Sequence, residues 1–375
     1  MNLNVISLCF ISLLPAALSA QSLSLSVTGG TSGNTPDQFM LNGHQINLQA
    51  NTVEFMNSGT AKNVFLTYGV SPDHSLVAFL ESGPEQSRIN LMGTGGSRLH
   101  AFDAITAASG DPSLAVYPFN DGSVLVRDNI AGFTLFDSFG KRVAGVSGSG
   151  DSNRGELISE VSMDPNGKTV VIYTPKIKQQ DGMMGSRAQL FTAENQLTNI
   201  FSSNTRTLRS VSVSSDGQFI ALVTGGQNAR DRVLVMDRYG NRLNTIETEE
   251  QLVGARIAAN PSYLLLYSSG RAMVFNTLSG ERIGSSSFSS GLLVADYFSE
   301  DQIILGMTGD YSSAAGIVQN IEFLAIHLGK RAISSEELSG IIGLSSAVQP
   351  VLKRTGPGRY RLEGTSKIVE IRTSF

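Results

Sequence analysis

The sequence has no tryptophan and a single cysteine, Cys9, in 375 residues. One cysteine cannot form an intramolecular disulfide, so the fold must depend on the burial of apolar side chains. Charged residues make up only 16% of the chain, and the formal net charge is -4. This balance has neither the basic excess typical of nucleic-acid-binding proteins nor an acidic tail, and we expect no nucleic-acid partner.

Long apolar runs are absent except at the beginning of the chain. An apolar stretch from Val5 to Leu14 is followed by Pro15 and by the small residues Ala16, Ala17, Ser19 and Ala20. The stretch is too short for a transmembrane helix and is typical of a secretory signal. We therefore predict a signal peptide over residues 1–20 and export to the periplasm or the extracellular space. Cys9 lies inside this signal, so the mature chain would contain no cysteine.

Turn-forming residues, including 39 glycines, separate many short apolar segments. The clearest example runs from Val211 to Glu247. It contains an apolar segment, an Asp216-Gly217 turn, a second segment, a third, and then a Tyr239-Gly240 turn into a fourth. β-Branched and aromatic segments separated by such turns predict one four-stranded antiparallel unit.

Variants of this unit recur along almost the whole chain. The first turns of successive copies fall at Asp73, Asp121, Asn166, Asp216, Asn260 and Glu300, with a poorer seventh copy at Pro357-Gly358. A period of about 40 to 50 residues matches one propeller blade. The sequence therefore predicts an all-β fold, a seven-bladed β-propeller of four-stranded antiparallel blades, formed by residues 61–375.

The seventh copy ends at Ile368 to Arg372 and lacks a fourth strand. An open ring would leave unpaired strand edges, so we predict that the N-terminal segment 21–60 supplies the closing strand. Leu23 to Val27 and Ile46 to Phe55 are both candidates, and the sequence does not decide between them. Ser334 to Leu338 can form a single helical turn or an inter-blade loop.

Two segments carry a resemblance to a known superfamily. They are Ser214-Ser215-Asp216-Gly217-Gln218-Phe219-Ile220-Ala221 and Met236-Asp237-Arg238-Tyr239-Gly240. At this level the chain resembles the WD40-like and YVTN-type propellers, over roughly residues 60 to 375. It lacks the Gly-His and Trp-Asp pairs of WD40 repeats, so no subfamily follows, and a propeller fold does not specify a function.

The two faces of the predicted disc differ in loop length. The first and third turns of each blade lie on one face and are short. The second-to-third strand loops and the crossings between blades lie on the opposite face. The long loops are Thr174 to Arg187, Gly225 to Arg232 and Gly309 to Asn320, and the long crossings are Asp103 to Ser113 and Ser147 to Gly155. Binding residues are common on variable loops of a rigid scaffold, so this long-loop face is the predicted working face.

Four polar residues are candidates for a site on the propeller axis. Tyr117, Arg256 and Asp296 occupy one equivalent position of the innermost strands, and Glu160 lies two residues before that position in the third blade. They could anchor a small-molecule ligand in the axial cavity. The interpretation that we favour for Arg256 and Asp296 is a salt bridge joining blades five and six, because buried charges are normally paired.

Three further patterns have both a functional and a structural interpretation. Basic residues follow the third turns and could attract an anionic partner, or could protect the outer strands from edge pairing. Lys176, Lys178 and Met183 could contact a protein or form a solvated hairpin. Gly148 to Arg154 has an Asp-x-Asn spacing but lacks the remaining ligands of a calcium loop. The basic residues are Arg98, Lys141, Arg142, Arg242, Arg282, Lys330 and Arg331.

Patterns for catalysis are missing from the sequence. The four histidines are scattered, and no metal-ligand spacing, nucleophile elbow or phosphate loop occurs. The lack of tryptophan disfavours quinoprotein and sugar-binding propellers. We expect no metal and no cofactor, and our leading hypothesis is a non-catalytic protein-binding or scaffold module. The alternatives are a propeller hydrolase or lactonase with an axial site that uses Asp296 or Glu160, and a structural component of the cell envelope.

Overall fold

The structure is a computed structural model. It describes residues 22–29, 38–41, 44–47, 52–55, 64–73, 75–82, 87–93, 97–104, 114–127, 132–146, 159–179, 182–191, 197–226, 229–289, 291–312, 317–330, 332–343, 350–362 and 367–374. The predicted signal peptide and the Gly148 to Arg154 segment lie outside these residues. None of the described segments is a helix long and apolar enough to cross a membrane.

The described elements are β-strands. The N-terminal segment contains β1 (Leu23–Gly29), β2 (Gln38–Leu41), β3 (His44–Asn47) and β4 (Thr52–Phe55). Blade 1 is β5 (Val64–Val70), β6 (Leu76–Ser82), β7 (Ser87–Gly93) and β8 (Arg98–Ala104). Blade 2 is β9 (Ala115–Pro118), β10 (Val124–Arg127), β11 (Phe133–Phe136) and β12 (Arg142–Val146). Blade 3 is β13 (Glu160–Met163), β14 (Val170–Lys178), β15 (Met184–Phe191) and β16 (Leu197–Ser203).

The remaining blades follow the same order. Blade 4 is β17 (Arg206–Val213), β18 (Phe219–Gly226), β19 (Ala229–Asp237) and β20 (Arg242–Thr248). Blade 5 is β21 (Leu252–Ile257), β22 (Tyr263–Ser268), β23 (Arg271–Asn276) and β24 (Arg282–Ser287). Blade 6 is β25 (Leu292–Phe298), β26 (Ile303–Ser312), β27 (Ile317–His327) and β28 (Ile333–Leu338), and β29 (Ile342–Gly343) also pairs with β27. Blade 7 contains β30 (Leu352–Gly356), β31 (Arg359–Leu362) and β32 (Lys367–Thr373).

The predicted seven-bladed propeller and its closure by an N-terminal strand are confirmed. β1 pairs antiparallel with β32, from Leu23 opposite Thr373 to Gly29 opposite Lys367, and completes blade 7 as its outermost strand. Leu25 is buried in the core between blades 6 and 7. Of the two candidate segments, the first therefore closes the ring. The second contributes to a separate three-stranded sheet of β2, β3 and β4.

Apolar packing occurs between successive blades. Six buried clusters each join one blade to the next, from blades 1 and 2 to blades 6 and 7. The middle strands contribute both of their faces, as in β6, where Leu76 to Leu80 are all buried. A strand between two neighbouring sheets has no solvent face, which explains why these segments are apolar without alternation.

The third turns are held by one side chain at the end of the third strand. Asp137, Asp237 and Asn276 accept backbone N–H bonds from the turns of blades 2, 4 and 5, at 2.8 to 3.0 Å. In blade 6 the equivalent residue is His327, whose Nδ1 accepts the N–H groups of Gly329 and Lys330 at 3.0 Å. Asp or Asn is the usual hydrogen-bond acceptor at such turns, and in blade 6 the imidazole of His327 takes the place of that side chain.

One expectation of secondary structure was wrong, whereas the hairpin interpretation of the loop with Lys176, Lys178 and Met183 is confirmed. Ser334 to Leu338 are neither a helical turn nor a loop, because they form most of β28, the outer strand that pairs with β27. The three long loops are largely paired strands. Their ladders extend to Lys178 opposite Met184, Gly226 opposite Ala229 and Ser312 opposite Ile317. The long-loop face therefore presents three β-hairpins.

Candidate functional site

The four predicted axial residues fall into two separate clusters. Tyr117 lies on β9 and Glu160 on β13, the innermost strands of blades 2 and 3. Arg256 lies on β21 and Asp296 on β25, the innermost strands of blades 5 and 6. Their use by a ligand stays a prediction.

Arg256 and Asp296 form an ion pair between blades 5 and 6. Arg256 Nε lies 3.3 Å from Asp296 Oδ2, and Asp296 Oδ1 accepts the backbone N–H of Tyr297 at 2.7 Å. The side chains are 27% and 8% exposed, respectively. Burial raises the pKa of Asp296, and the positive charge of Arg256 opposes that rise only in part. This is the fastening ion pair that the sequence analysis favoured.

Blade 7 extends this cluster with two residues that the sequence analysis missed. Arg354 on β30 donates to Glu300 at 2.6 Å, and its guanidinium carbon lies 5.2 Å from the centre of the Phe298 ring. The Tyr360 side chain is fully buried, and burial together with the charge of Asp296 raises its pKa. A register irregularity in the β30–β31 ladder between Arg354 and Gly356 displaces this copy from the alignment of the other blades.

A pocket of about 350 Å³ opens beside the Arg256–Asp296 cluster. It lies on the short-turn face, between the first turns of blades 5 and 6 and strand β30. Its polar lining combines the Glu300 carboxylate, the Arg354 guanidinium and the Tyr263 ring. Glu300 and Arg354 neutralise each other, so the pocket offers no net charge to a ligand. The other lining residues are Ala259, Asn260 and Ser299.

The second cluster surrounds Glu160. The Tyr173 hydroxyl donates to Glu160 Oε2 at 2.6 Å. Burial raises the pKa of Tyr117 and of Tyr173. The charge of Glu160 also raises both pKa values, whereas the charge of Arg127 lowers that of Tyr117. Arg127 Nη1 donates to the backbone oxygen of Ser159 at 2.7 Å. The cluster can accept a hydrogen-bonding or cationic group, because it combines a carboxylate with two phenols.

The two carboxylates of the candidate sites lie in separate clusters and have local partners. Glu160 is bonded by Tyr173, and Asp296 is bonded by Arg256 and a backbone N–H. The two carboxylates belong to blades 3 and 6 and share no partner. Within the described ranges, no three His, Cys, Asp or Glu side chains converge to hold a metal ion.

The comparisons with known proteins concern the fold. No protein family and no characterised protein matches the sequence. Among solved structures, the Dos1 propeller matches with a TM-score of 0.51 and 11% identity, over 88% of this chain and 81% of that chain. The fold is that of a β-propeller.

Two further solved structures are similar at a lower level. A eukaryotic initiation factor matches with a TM-score of 0.49 and 11% identity, over 81% of this chain and 85% of its own. The Cps50 (Swd1) propeller domain of Myceliophteria thermophila matches with a TM-score of 0.49 and 9% identity, over 83% of this chain and 96% of its own. At such identities the likeness concerns architecture alone.

Proposed function

We propose that this propeller is a non-catalytic protein-binding scaffold that engages its partner through the long-loop face. The observation that carries the proposal is the set of paired hairpins on blades 3, 4 and 6. β14, β18 and β26 with their partners extend for 8 to 11 residues, whereas β10 and β11 of blade 2 have only 4. Their backbone ladders make them preorganised, so binding would cost little ordering entropy.

The hairpin ends present mixed side chains suited to protein contact. Lys178, Ala229 and Asp310 are exposed near the three ends. They stand on blades whose middle strands are buried on both sides, so their positions are fixed by the core. A rigid support with variable projections is the usual arrangement of a binding surface.

The hydrolase alternative finds less support in this geometry. General acid–base hydrolysis needs two groups positioned on one substrate. Glu160 and Asp296 belong to different clusters, and each is already engaged. A structural role in the cell envelope is compatible with the scaffold proposal, because a structural component also works by binding.

Site-specific photo-crosslinking tests the proposal in the native host. A photoreactive amino acid would replace Lys178, Ala229 or Asp310 in turn, and Thr245 on the outer strand β20 provides the control position. We expect one discrete crosslinked polypeptide from the hairpin positions and none from Thr245. Equal products at all four positions, or no product from the hairpins, would contradict the proposal.

We also propose that the chain is exported after removal of residues 1–20. The apolar run followed by small residues supports this. The measurement is the intact mass of the protein from the extracytoplasmic fraction. An intact mass that includes residues 1–20, or protein found only in the cytoplasm, would contradict export. Neither outcome would affect the crosslinking result.

A further inference from the structure

The outer strands of four blades contain a β-bulge at the same place. In the ladders that join the third and fourth strands of blades 1, 2, 4 and 5, the register shifts by one residue near the third turn. The extra outer-strand residues are Leu99, Val143, Leu243 and Ile283, and all four are exposed. A bulge interrupts the strand alternation, so this residue and its neighbour can both face solvent.

An exposed arginine precedes the bulged residue in blades 2, 4 and 5. The resulting dyads are Arg142–Val143, Arg242–Leu243 and Arg282–Ile283. Among the described residues, no acidic oxygen lies within 4.0 Å of any of these three guanidinium groups. The axial Arg256, by contrast, is paired with a carboxylate. The dyads therefore present cations that are available to an external anion.

The same three blades expose a large apolar or aromatic residue at the third turn. Phe139, Tyr239 and Leu278 are 80%, 67% and 59% exposed. The turns that carry them pack closely against the preceding blade. In blade 4, for example, Gly240 has φ 83°, and a Cβ there would lie 2.3 Å from Ile200 of the preceding blade. The tips thus project from a fixed base.

The dyads and tips occupy one level of the disc. Equivalent positions of propeller blades are related by rotation about the axis, so they lie at similar height and radius. We name the three dyads and three tips together the basic–apolar rim. It surrounds the short-turn face, opposite the hairpins. Leu99 of blade 1 and Ile333 of blade 6 add exposed apolar side chains at the same level.

The spacing of the rim favours a lipid surface over a protein. Protein interfaces concentrate their apolar contacts in a packed central patch. Here the apolar side chains are convex, are distributed over blades 2, 4 and 5, and lie beside basic residues. A bilayer interface accepts such separate insertions, with aromatic and aliphatic tips among the headgroups and arginines on the phosphates.

We propose that the basic–apolar rim docks this protein on an anionic phospholipid surface. The first turns on the same face carry Asp73, Asp121 and Asp216, and Glu281 precedes one dyad. Electrostatic attraction is therefore confined to the rim, and insertion of the tips must contribute to binding as well. This orientation leaves the hairpin face directed away from the membrane.

Vesicle flotation of the mature full-length chain measures the charge contribution. The vesicles contain phosphatidylcholine alone or with 30% phosphatidylglycerol. The rim variant combines Arg242→Gln and Arg282→Gln, and the matched control combines Lys176→Gln and Lys178→Gln on the hairpin face. We expect about thirtyfold weaker partition for the rim variant, because each basic residue contributes about one factor of five at an anionic surface. The control should bind as wild type does.

The absence of tryptophan permits a direct test of insertion. Tyr239→Trp and Leu278→Trp each place a single tryptophan at a tip, and Met183→Trp places one on the opposite face. Anionic vesicles should shift the emission of the tip variants to the blue, and brominated lipids should quench it, without effect on Met183→Trp. No binding to anionic vesicles, equal losses in rim and control variants, or unshifted tip emission would overturn the proposal. Binding of the rim to an acidic protein in place of vesicles would also overturn it.

Discussion

Protonation of His327 is expected to weaken blade 6 in mildly acidic solution. In the folded protein its Nδ1 accepts two backbone N–H groups, so this nitrogen must be unprotonated. Burial lowers the pKa of His327 below 6.5, the nearby Lys330 lowers it further, and Asp301 opposes the shift. A proton on Nδ1 would face two donors and break both hydrogen bonds.

The sign of the effect follows from proton binding to the two states. As the pH falls through 6.5, His327 binds a proton in the unfolded chain before it does so in the folded one. The stabilisation is therefore complete above pH 6.5 and is lost as the pH falls toward the lowered folded pKa. Losing two acceptor bonds at a partly hydrated turn costs about 1–2 kcal/mol.

The assay is urea unfolding at pH 7.5 and pH 5.5, with His327→Asn as the matched variant. Blade 5 already uses Asn276 at the equivalent position, where Oδ1 accepts the N–H groups of Leu278 and Ser279. The variant should keep the turn bonds without titrating, so its free energy of unfolding should fall less between the two pH values. The other histidines are common to both proteins and cancel in the difference. Identical pH dependence in wild type and variant would refute this reasoning.

Two further predictions concern the ring. Leu25→Ala should reduce the free energy of unfolding by about 2–4 kcal/mol, because Leu25 is buried in the core that joins β1 to blades 6 and 7. The control is Ser24→Ala at an exposed position of the same strand. Equal urea midpoints for the two variants would argue against closure of the ring by β1. Arg256→Ala should destabilise by about 3 kcal/mol, the lower end of the range for a broken buried pair, because Asp296 loses its ion-pair partner and Arg256 is itself 27% exposed. The exposed Lys178→Ala should change the melting temperature little, and equal melting temperatures would contradict a stabilising role for the pair.

The blade pattern could be predicted because turn chemistry is local. Asp73, Asp121 and Asp216 mark first turns in the sequence and stand in those turns in the structure. Apolar segments without alternation indicated strands between two sheets, and the inter-blade clusters confirm it. The choice between the two closing segments could not be made, because both are short and apolar and only pairing with β32 distinguishes them.

Only some residues of the axial cluster could be predicted from the sequence. Arg256 and Asp296 were found because aligned turns place them at one position of adjacent blades. Arg354 belongs to the seventh copy, where the ladder is irregular beside the first turn, so alignment by turns misses it. Tyr360 lies on the second strand of that blade, which an alignment of innermost strands does not include. A bulge is a property of pairing between strands, and no residue pattern along one strand reveals it.

The bulges of the outer strands could not be predicted from the sequence either. The basic residues after the third turns were visible in the sequence, and protection of strand edges was a sufficient explanation for them. Leu243 and Ile283 look like ordinary strand residues until the shifted register places them in solvent beside Arg242 and Arg282. Protection of edges explains a charge, but it does not explain an exposed aliphatic residue next to each charge.

The two proposed surfaces are physically independent. Blades 1 to 6 place their first and third turns at one end and their second connection at the other, so the hairpins and the basic–apolar rim are separated by the length of the strands. Between them lie the six inter-blade cores, whose middle strands are buried on both faces. Such a close-packed layer holds both surfaces without requiring either to move. A scaffold built in this way can be attached to a membrane by one face and remain free to bind a protein by the other.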